Sequence, residues 1–381
     1  MLASNEDRVT ELEPMVVSDP AALGPYLQQW DQLAAAAGRP FCAPAWMLAW
    51  WTEGRSGDAR LRVVLALDQA GRVHGVGPFF AQVGPMRLAE YRVLAAGFSH
   101  RVGPLATDGW EAAVASAIAR GLATAHPPAA SVVFEGIDAA DPWPELIAAA
   151  WPSGKTIVRT DLLMDAPLIE LGADYERWLA HRQRTFRKEA GRTARRLEEH
   201  GIQARMTVDH SAIQALVRLH GARWSERGGS HLTLDSGRVL AEAALRLNHD
   251  PQRLAVALLD GPEGPVAAEL VVRAGRAMAF WAGGFDARWA RHAPGVQAML
   301  FALRSGADQG VELADLGGGA HAYKLRLSDV NAPLAWRTVF PLNVRYPAIR
   351  VRLAPKHLRV AARSLFRRLP APVQKRLRRI L

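Results

Sequence analysis

The sequence has few of the residue patterns on which covalent and metal-dependent enzymes rely. It contains a single cysteine, Cys42, which excludes an intramolecular disulfide framework and a cysteine-based metal cluster. Its histidines are not spaced as zinc ligands, and it has neither a Gly-x-Ser-x-Gly elbow nor a cysteine–histidine arrangement. Phe41 and Trp46 lie beside Cys42, so we expect a buried, unreactive thiol. The sequence therefore shows no motif for a catalytic nucleophile and no spacing for a metal site.

Long apolar runs are also lacking. No stretch reaches 18 apolar residues, which predicts that the chain has no membrane-spanning helix. Residues 1–14 are polar and contain Asp7, Glu11 and Glu13, unlike the charged and then apolar pattern of a signal peptide. The chain has 381 residues, of which 49% are hydrophobic and 22% charged, as in ordinary soluble proteins with room for two domains. We expect a cytoplasmic protein.

Acidic residues are absent from the C-terminal segment. Residues 345–381 hold 12 lysines or arginines and no acidic residue, so the net charge of +10 belongs to this tail and the rest sums to −2. Aliphatic side chains alternate with the basic ones, which favours amphipathic helices on an anionic membrane surface at the inner face of the membrane. Nucleic acid is a competing partner for the same charge. A simple packed or disordered tail is the third interpretation.

Helical and strand-like segments alternate along the chain. Helices are predicted at 20–38, 46–51, 109–125, within 141–152, and at 175–200, 212–226, 236–248 and 295–310. Strands are predicted at 61–67, 73–83, 87–94, 131–137, 156–163, 202–208, 254–260, 266–274, 277–283, 311–316 and 335–339. The pattern favours the α/β class, with a polar leader at 1–14, an N-terminal domain at 15–170, a C-terminal domain at 171–341 and a basic tail at 342–381.

A helix start in the C-terminal third is a candidate ligand site. Unpaired N–H groups and the positive end of the helix dipole favour an anionic ligand at such a start. Pro294 needs no N–H partner there, and Gly295 allows a close approach of the backbone to a ligand. Arg291 and His292 add further donors. An ordinary capped helix has the same pattern, so this feature alone leaves both interpretations open.

Four blocks of the second half resemble a known family when they are taken in order. They are the basic helix at 182–198, Arg223-Trp224 with Arg227-Gly228, Gly284-Phe285-Asp286 followed by Pro294-Gly295, and Asp315 with Gly319 and Tyr323-Lys324. This set resembles the GNAT-like acetyltransferase family that includes bacterial cellulose-biosynthesis proteins of the CelD type, and more distantly the Fem peptidyltransferases. An aromatic helix near residues 41–51 extends the resemblance to about 15–341.

The resemblance implies a fold and a reaction. It implies an α/β (α+β) fold of tandem GNAT-like domains, each with a mixed, mostly antiparallel sheet flanked by helices. It also implies an N-acyltransferase that moves an acyl group from acetyl-CoA or another acyl-CoA to an amine of a sugar, glycolipid, cell-envelope or exopolysaccharide precursor. The implied donor-binding residues are Arg291, His292, Gly295, Val296 and Gln297. Val296 and Gln297 stand where typical GNAT enzymes show a second glycine.

Three residues are candidate catalytic groups. Lys324 matches the lysine that closes the glycine-rich loop of Fem-like relatives, which implies electrostatic support of the reacting carbonyl, although a solvated lysine at a strand edge is the alternative. Glu269 lies in an apolar strand, where an ionised carboxylate is costly unless it is paired. The resemblance implies that Glu269 assists deprotonation of the amine, while pairing with Arg273 or Arg223 is equally compatible with the sequence. Asp315 ends a strand beside glycines, where a turn cap competes with a role in the site.

Further residues are candidates for substrate binding, namely Arg184, Arg187, Arg223, Trp224, Asp286 and Tyr323. Arg184, Lys188, Arg192 and Arg195 share one helix face, which suits an anionic acceptor or a donor phosphate as well as a merely solvated helix. Arg223 and Trp224 suit stacking and pairing with a ligand, whereas tryptophans at this spacing are more often core residues. Asp286 also suits a turn cap.

Two other functions remain compatible with the sequence. One is a Fem-like transferase that uses aminoacyl-tRNA as donor, the only case in which a nucleic-acid partner is expected. The other is a non-catalytic assembly factor for polysaccharide synthesis that kept the fold without the donor site.

Overall fold

The computed structural model describes residues 11–55, 57–84, 88–224, 232 and 234–351. Its strands are β1 Glu13–Val17, β2 Arg60–Leu67, β3 Val73–Val83, β4 Ala89–Val93, β5 Leu105–Ala106, β6 Ala129–Asp138, β7 Thr156–Met164, β8 Pro167–Glu170, β9 Gln203–Thr207, β10 Leu254–Gly261, β11 Gly264–Ala274, β12 Ala277–Phe285, β13 Leu313–Asp315, β14 Val330–Asn331 and β15 Leu334–Pro341. Its α-helices are α1 Leu27–Ala36, α2 Pro44–Ala49, α3 Glu111–Thr124, α4 Trp143–Ala149, α5 Tyr175–Ala180, α6 Arg184–Glu199, α7 His210–Trp224, α8 Leu234–Arg246, α9 Pro294–Ala307 and α10 Ala322–Leu327.

The strands form two mixed sheets flanked by helices. The first has the order β1-β2-β3-β4-β6-β15-β7, with β5 paired to β3, and the second has the order β14-β8-β13-β12-β11-β10-β9. Pairing is antiparallel except between β4 and β6 and between β12 and β13. The predicted α/β class with two mostly antiparallel mixed sheets is confirmed. The long buried runs of β6 and β11 explain why each lies inside its sheet.

Two strands lie in a different sheet from the one that their place in the sequence suggested. The predicted strand at 335–339 was expected to complete the second unit, and this was wrong, because β15 pairs with β6 and β7 of the first sheet. In turn, β8 pairs with β13 of the second sheet although it precedes residue 171. Hydrophobic patterning shows that a strand is buried but does not identify its neighbours. The domain boundaries at 170 and 341 stay predictions.

The predicted helix at 175–200 is two helices. α5 ends at Ala180 and α6 begins at Arg184, and Asp174 caps α5 by accepting from the Arg177 amide at 2.9 Å. Between them, Arg182 donates to the carbonyls of Leu327 and Ser328 at 3.1 and 3.0 Å and pairs with Asp329. These long-range contacts favour a break that local helical periodicity does not show.

The first half of the chain, up to residue 170, and the second half, from residue 171, share one apolar core. The ring of Trp46 lies 5.6 Å from that of Phe98 and 5.7 Å from that of Trp281, between ring centres. Trp281 also donates its indole N–H to the Phe98 carbonyl at 2.8 Å. Cys42 is buried in the same core, as expected. This aromatic contact fixes the first half against β12 and forms one side of the cavity described below.

The two ends of the chain are only partly described. β1 begins at Glu13, so the predicted polar leader at 1–14 overlaps the first sheet by two residues. Residues 346–351 are helical, and Ile349 is buried against Leu88 and Phe340. Most of the predicted membrane-binding segment at 345–381 lies outside the described residues. Within them, no helix combines the length and apolarity that crossing a bilayer requires.

Candidate active site

A cavity of about 750 Å³ lies between the two halves of the chain. The first half contributes Phe41, Phe98 and His100, while the second contributes Glu269, Trp281 and Lys324 among others. The cavity is therefore completed by residues more than 200 positions apart, and its chemistry depends on both halves.

Lys324 points a charged group into this cavity. It lies on α10 and is buried, and its Nζ donates to the carbonyls of Gly317 and Gly318 at 3.2 and 2.9 Å. Burial lowers the pKa of Lys324, while the negative charges of Asp315 and Glu269 oppose this change. The interpretation as a solvated lysine at a strand edge is wrong, because burial and two carbonyl acceptors fix the ammonium group.

Glu269 supplies a buried carboxyl group to the same cavity. It lies on β11 opposite Gly283 of β12. Burial raises the pKa of Glu269 to about 8, although the positive charges of Arg223 and Lys324 lower it. Arg273 donates to the side chain of Gln309, whereas Arg223 acts on Glu269 through its positive charge. A carboxyl group with such a pKa changes protonation near neutral pH, as a general base must.

Tyr323 and Arg223 border these two groups. Burial raises the pKa of Tyr323 to about 12, and Glu269 adds to the effect while Arg223 opposes it. The Tyr323 ring lies parallel to that of His321, with 6.0 Å between ring centres. The Arg223 guanidinium stacks on Phe285 at 4.8 Å from the ring centre. Of the predicted substrate-binding residues, the structure thus brings Tyr323 and Arg223 to the cavity.

Asp315 lines the cavity with its carboxylate already engaged. Its Oδ2 accepts from Arg101 Nε at 3.0 Å, and its Oδ1 accepts from the Gly317 amide at 2.8 Å. Asp315 is thus held by an arginine and by its own turn, and its catalytic role stays a prediction. Its turn-capping interpretation describes the structure.

The start of α9 does not present the predicted cradle of backbone amides. The amides of Val296 and Gln297 both donate to the Ala293 carbonyl, at 3.0 and 3.2 Å. The Gln297 side chain donates to the Ala190 carbonyl of α6 at 3.1 Å. These residues do not fit the pyrophosphate of an acyl-CoA in the expected way, because their donors are occupied.

The other predicted donor-binding residues lie beside this helix start and away from the cavity. The side chain of His292 is buried, and Arg291 Nε donates to His292 Nε2 at 2.9 Å. Burial lowers the pKa of His292, and the charges of Arg291 and Arg196 lower it further. An alanine at Gly295 would place its Cβ 3.3 Å from the Phe285 ring. The positive charge of this region comes from its side chains more than from free backbone amides.

Among the remaining predicted substrate-binding residues, Asp286, Arg184 and Arg187 do not line the cavity. Asp286 caps the short 3-10 helix Ala287–His292 by accepting from the Arg288 amide at 2.9 Å, which corrects its predicted role. Arg184 and Arg187 are exposed on α6. Trp224 is the last residue of α7, and its side chain lies outside the described part of the structure.

Sequence reasoning missed the histidines of the site. His100, His220 and His321 all line the cavity, yet they lie in three separate segments without a common spacing. His321 lies three residues before Lys324, and that proximity was the only available signal. Burial lowers the pKa of His321, and the charges of Lys324 and Arg223 lower it further. Within the described chain, no group of three potential metal-ligating side chains comes together.

Comparison with known proteins identifies the type of domain. Residues 184–325 match the family model described as an acetyltransferase (GNAT) domain, which contains Glu269, Asp315 and Lys324. No curated protein matches the chain at the sequence level. The expectation of a GNAT-type acyltransferase domain is confirmed, while the likeness to the CelD type within that family is not.

Solved structures share the architecture across nearly the whole chain. The crystal structure of FemX matches with a TM-score of 0.66 at 9% identity and covers 90% of this chain and 99% of its own. The C-terminal domain of a putative lysylphosphatidylglycerol synthetase from Agrobacterium fabrum matches at 0.52 and 12% identity, covering 86% and 95%. L-PGS from Bacillus licheniformis matches at 0.51 and 12%, covering 90% and 97%. At these identities the likeness shows the fold alone.

Proposed function

We propose that this chain catalyses transfer of an acyl group to an amine in the cavity between its two halves. One observation supports the proposal. Two buried ionisable groups, the Glu269 carboxyl group and the Lys324 amino group, line one cavity within a GNAT-type acetyltransferase domain. The two groups support each other's charge, because the positive charge of Lys324 lowers the pKa of Glu269 and the negative charge of Glu269 raises the pKa of Lys324. A carboxylate that accepts a proton and an ammonium group that stabilises negative charge can therefore act in one cavity.

The reaction assigns one step to each side chain. The amine nitrogen attacks the acyl carbonyl carbon, and the carbonyl oxygen takes up the electron pair of the C=O bond. The Lys324 ammonium stabilises this oxyanion, because a cation in a water-poor site interacts strongly with developing charge. The Glu269 carboxylate accepts the proton that the attacking nitrogen loses. The leaving group of the donor departs with its electron pair as the carbonyl reforms.

Acyl-CoA is the first donor candidate. We expect basic side chains, and not backbone amides, to bind its phosphates. The occupied amides of Val296 and Gln297 argue against the usual cradle at α9. Arg291 and Arg196 supply positive charge near the same helix start, where both lower the pKa of His292, and Arg192 and Arg195 are exposed on the same helix as Arg196. We therefore propose that these side chains hold the anionic part of the donor.

Aminoacyl-tRNA is the second donor candidate, and one observation favours it. Arg187, Lys188, Arg192 and Arg195 lie together with Glu189 on one exposed stretch of α6. A row of exposed cations along a helix suits a phosphate backbone as well as a single pyrophosphate.

The acceptor and location belong to the same proposal. From the family resemblance we propose an amine of a sugar, glycolipid or cell-envelope precursor used in polysaccharide biosynthesis. A cytoplasmic enzyme bound peripherally to an anionic membrane through 345–381 would meet such lipid-linked acceptors. Pelleting with anionic vesicles, lost on truncation after Pro341, tests this part separately.

Donor binding and turnover test the central proposal. The purified full-length protein is mixed with acetyl-CoA, longer acyl-CoAs or aminoacyl-tRNA, and unfolding temperatures are compared. A ligand at 100 times its Kd stabilises the native state by about 2.7 kcal/mol, which is readily measured. Mass spectrometry of amine acceptors then detects the acylated product. Binding with turnover that Lys324→Met abolishes supports catalysis, whereas absence of donor binding and turnover supports the non-catalytic assembly factor.

A further inference from the structure

The first half of the chain contacts the loop that holds Lys324. Residues 317–319 form this loop, and its carbonyls at Gly317 and Gly318 accept from the Lys324 ammonium. Gly317 and Gly319 have φ angles of 72° and 94°, a conformation that glycine adopts without strain. The position of the ammonium therefore depends on whatever fixes this loop.

Arg101 of the first half makes the central contact. Its Nε donates to Asp315 Oδ2 at 3.0 Å, its Nη2 donates to the Ala332 carbonyl at 2.7 Å, and its Nη1 pairs with Asp138. Asp315 links Arg101 to the loop, because its other carboxylate oxygen accepts from the Gly317 amide at 2.8 Å. One guanidinium thus joins the first sheet to the turn from which the loop begins.

The backbone around Arg101 is held in a defined conformation that directs its side chain to this contact. Arg101 has a φ of 54°, unusual for a residue with a side chain, and its amide donates to the Gly136 carbonyl at 2.7 Å. Its carbonyl accepts from the Cys42 thiol at 3.5 Å. The arginine side chain is 16% exposed and that of Asp315 is 10% exposed. A charge-assisted contact with little exposure is strongly directional.

Other first-half atoms support the same loop. The Gly319 amide donates to the Asp165 carbonyl at 2.7 Å. A Cβ added at Gly318 would lie 2.6 Å from Met164 Sδ and 3.2 Å from His100 Nε2. The loop is therefore closely packed against the first half, and Arg101 supplies the charged contact of this set.

We propose that Arg101 is a positioning residue of the active site, which fixes the 317–319 loop through Asp315 and thereby holds the Lys324 ammonium in the cavity. The contacts themselves are observed in the structure, while their effect on catalysis depends on the proposed acyl transfer. Arg101 touches no reacting atom, so its effect is exerted through Asp315 and the loop.

A second ion pair between the halves provides a matched control. Arg253, which precedes β10, donates to both oxygens of Asp31 on α1 at 3.0 and 2.7 Å. This pair joins the same two halves and makes no contact with the glycine loop. If Arg101 merely held the halves together, loss of Arg253 would have a similar effect.

Lysine NMR gives a readout that needs no substrate. The chain has five lysines, so the Cε resonance of Lys324 in ¹³C-lysine protein can be assigned by its loss in Lys324→Arg. The titratable and charged groups near the ammonium are Asp315, Glu269, Arg223, His321, His100 and Tyr323. Arg101→Gln removes a cation and leaves Asp315 free to act on Lys324, so the Lys324 pKa should rise by about 0.5 or more. Asp315→Asn, which keeps an oxygen for the Gly317 amide, should lower it.

The experiment compares full-length wild type, Arg101→Gln, Asp315→Asn and Arg253→Gln. We expect kcat to fall about tenfold to a hundredfold in Arg101→Gln with KM within about twofold, because misplacement of a catalytic group affects the transition state most. Arg253→Gln should leave kcat and the Lys324 titration unchanged. Arg101→Lys, which keeps the charge, should recover part of kcat and provides a folded variant if Arg101→Gln does not fold.

Two results would overturn the inference. One is a Lys324 titration and kcat that Arg101→Gln leaves unchanged, and the other is equal losses in Arg101→Gln and Arg253→Gln. If the titration shifts as expected but the wild type acylates no amine, the proposed function fails while the Arg101 contact stands.

Discussion

The Glu269 carboxylate occupies the space that a side chain at Gly283 would fill. A Cβ built on Gly283 would lie 1.6 Å from Glu269 Oε2 and 2.4 Å from its carboxyl carbon. The two residues are paired across β11 and β12, so their side chains project from the same face of the sheet. The absence of a side chain at 283 is therefore what lets the carboxyl group lie flat against β12 inside the cavity.

Gly283→Ala should displace the carboxylate and lower activity. We expect a loss of about tenfold or more in kcat, since a displaced base no longer reaches the amine, and a destabilisation of about 1–3 kcal/mol from overpacking. Acyl transfer assays and chemical denaturation measure the two effects. Gly237→Ala on α8 is the control, because its Cβ would meet Val217 at an ordinary 3.7 Å. Equal activity in Gly283→Ala and wild type would show that the position of the carboxyl group does not matter.

Glu269→Gln should remove one limb of the pH–rate profile. In the wild type, activity should rise with pH as the Glu269 carboxyl group, with a pKa of about 8, loses its proton and becomes able to accept one. Glutamine cannot titrate, so the variant should show a low rate without that rise. The profile of kcat/KM measured from pH 5.5 to 9.5 tests this. A rise near pH 8 that persists in Glu269→Gln would assign the base to another residue.

The same substitution should change how stability depends on pH. The pKa of Glu269 is higher in the folded chain, about 8, than its ordinary value of 4.5, so the folded state binds the proton more tightly. The stability from this group is present below pH 4.5 and is lost as pH rises through the folded pKa. Relative to wild type, Glu269→Gln should therefore gain about 2–4 kcal/mol between pH 5 and pH 9.

Denaturant unfolding at pH 5 and pH 9 provides the measurement. Glu263→Gln is the control, because Glu263 is 82% exposed in its pair with Arg288 and should show no such gain. A difference between Glu269→Gln and wild type that is the same at both pH values would mean that the pKa of this carboxyl group is not raised by folding.

Parts of this site were predictable from the sequence because they depend on local pattern. The strand from Val73 to Val83 was predicted with its observed bounds, and Glu269 attracted notice because a carboxyl group in an apolar strand needs a reason. Lys324 was found through its glycine-rich motif. Each of these signals lies within a few neighbouring residues.

The parts that were missed depend on contacts between distant segments. Nothing near Arg101 indicates that its guanidinium meets Asp315, 214 positions away. The place of β15 inside the first sheet is likewise a matter of strand pairing, which hydrophobic periodicity does not encode. The helix start at Pro294 looked open in sequence, but the Ala293 carbonyl accepts from the Val296 and Gln297 amides and occupies them. Long-range pairing and local backbone geometry decided these features.

Reversing charge on α6 should weaken donor binding without changing the chemical step. Arg192 and Arg195 are exposed on α6, and we propose that they contact donor phosphates. Arg192→Glu with Arg195→Glu should raise the donor KM about tenfold at low salt and leave kcat nearly unchanged, since the interaction is made equally in ground and transition states. Arg60→Glu with Arg72→Glu, at two exposed arginines outside α6, is the control that changes the net charge by the same amount.

Salt dependence of this variant distinguishes the two donor candidates. If the donor is a tRNA, the wild-type affinity should fall steeply with salt, and loss of two phosphate contacts should reduce the slope of log K against log salt by about 1.4–1.8. If the donor is an acyl-CoA, the wild-type slope is shallow from the start because few phosphates are involved. A KM that the α6 variant leaves unchanged for both donors would place the anionic part of the donor elsewhere, and Arg291 would be the next residue to vary. The charge of α6 would then serve solubility only, and the cavity would have to bind its donor through the acyl group itself.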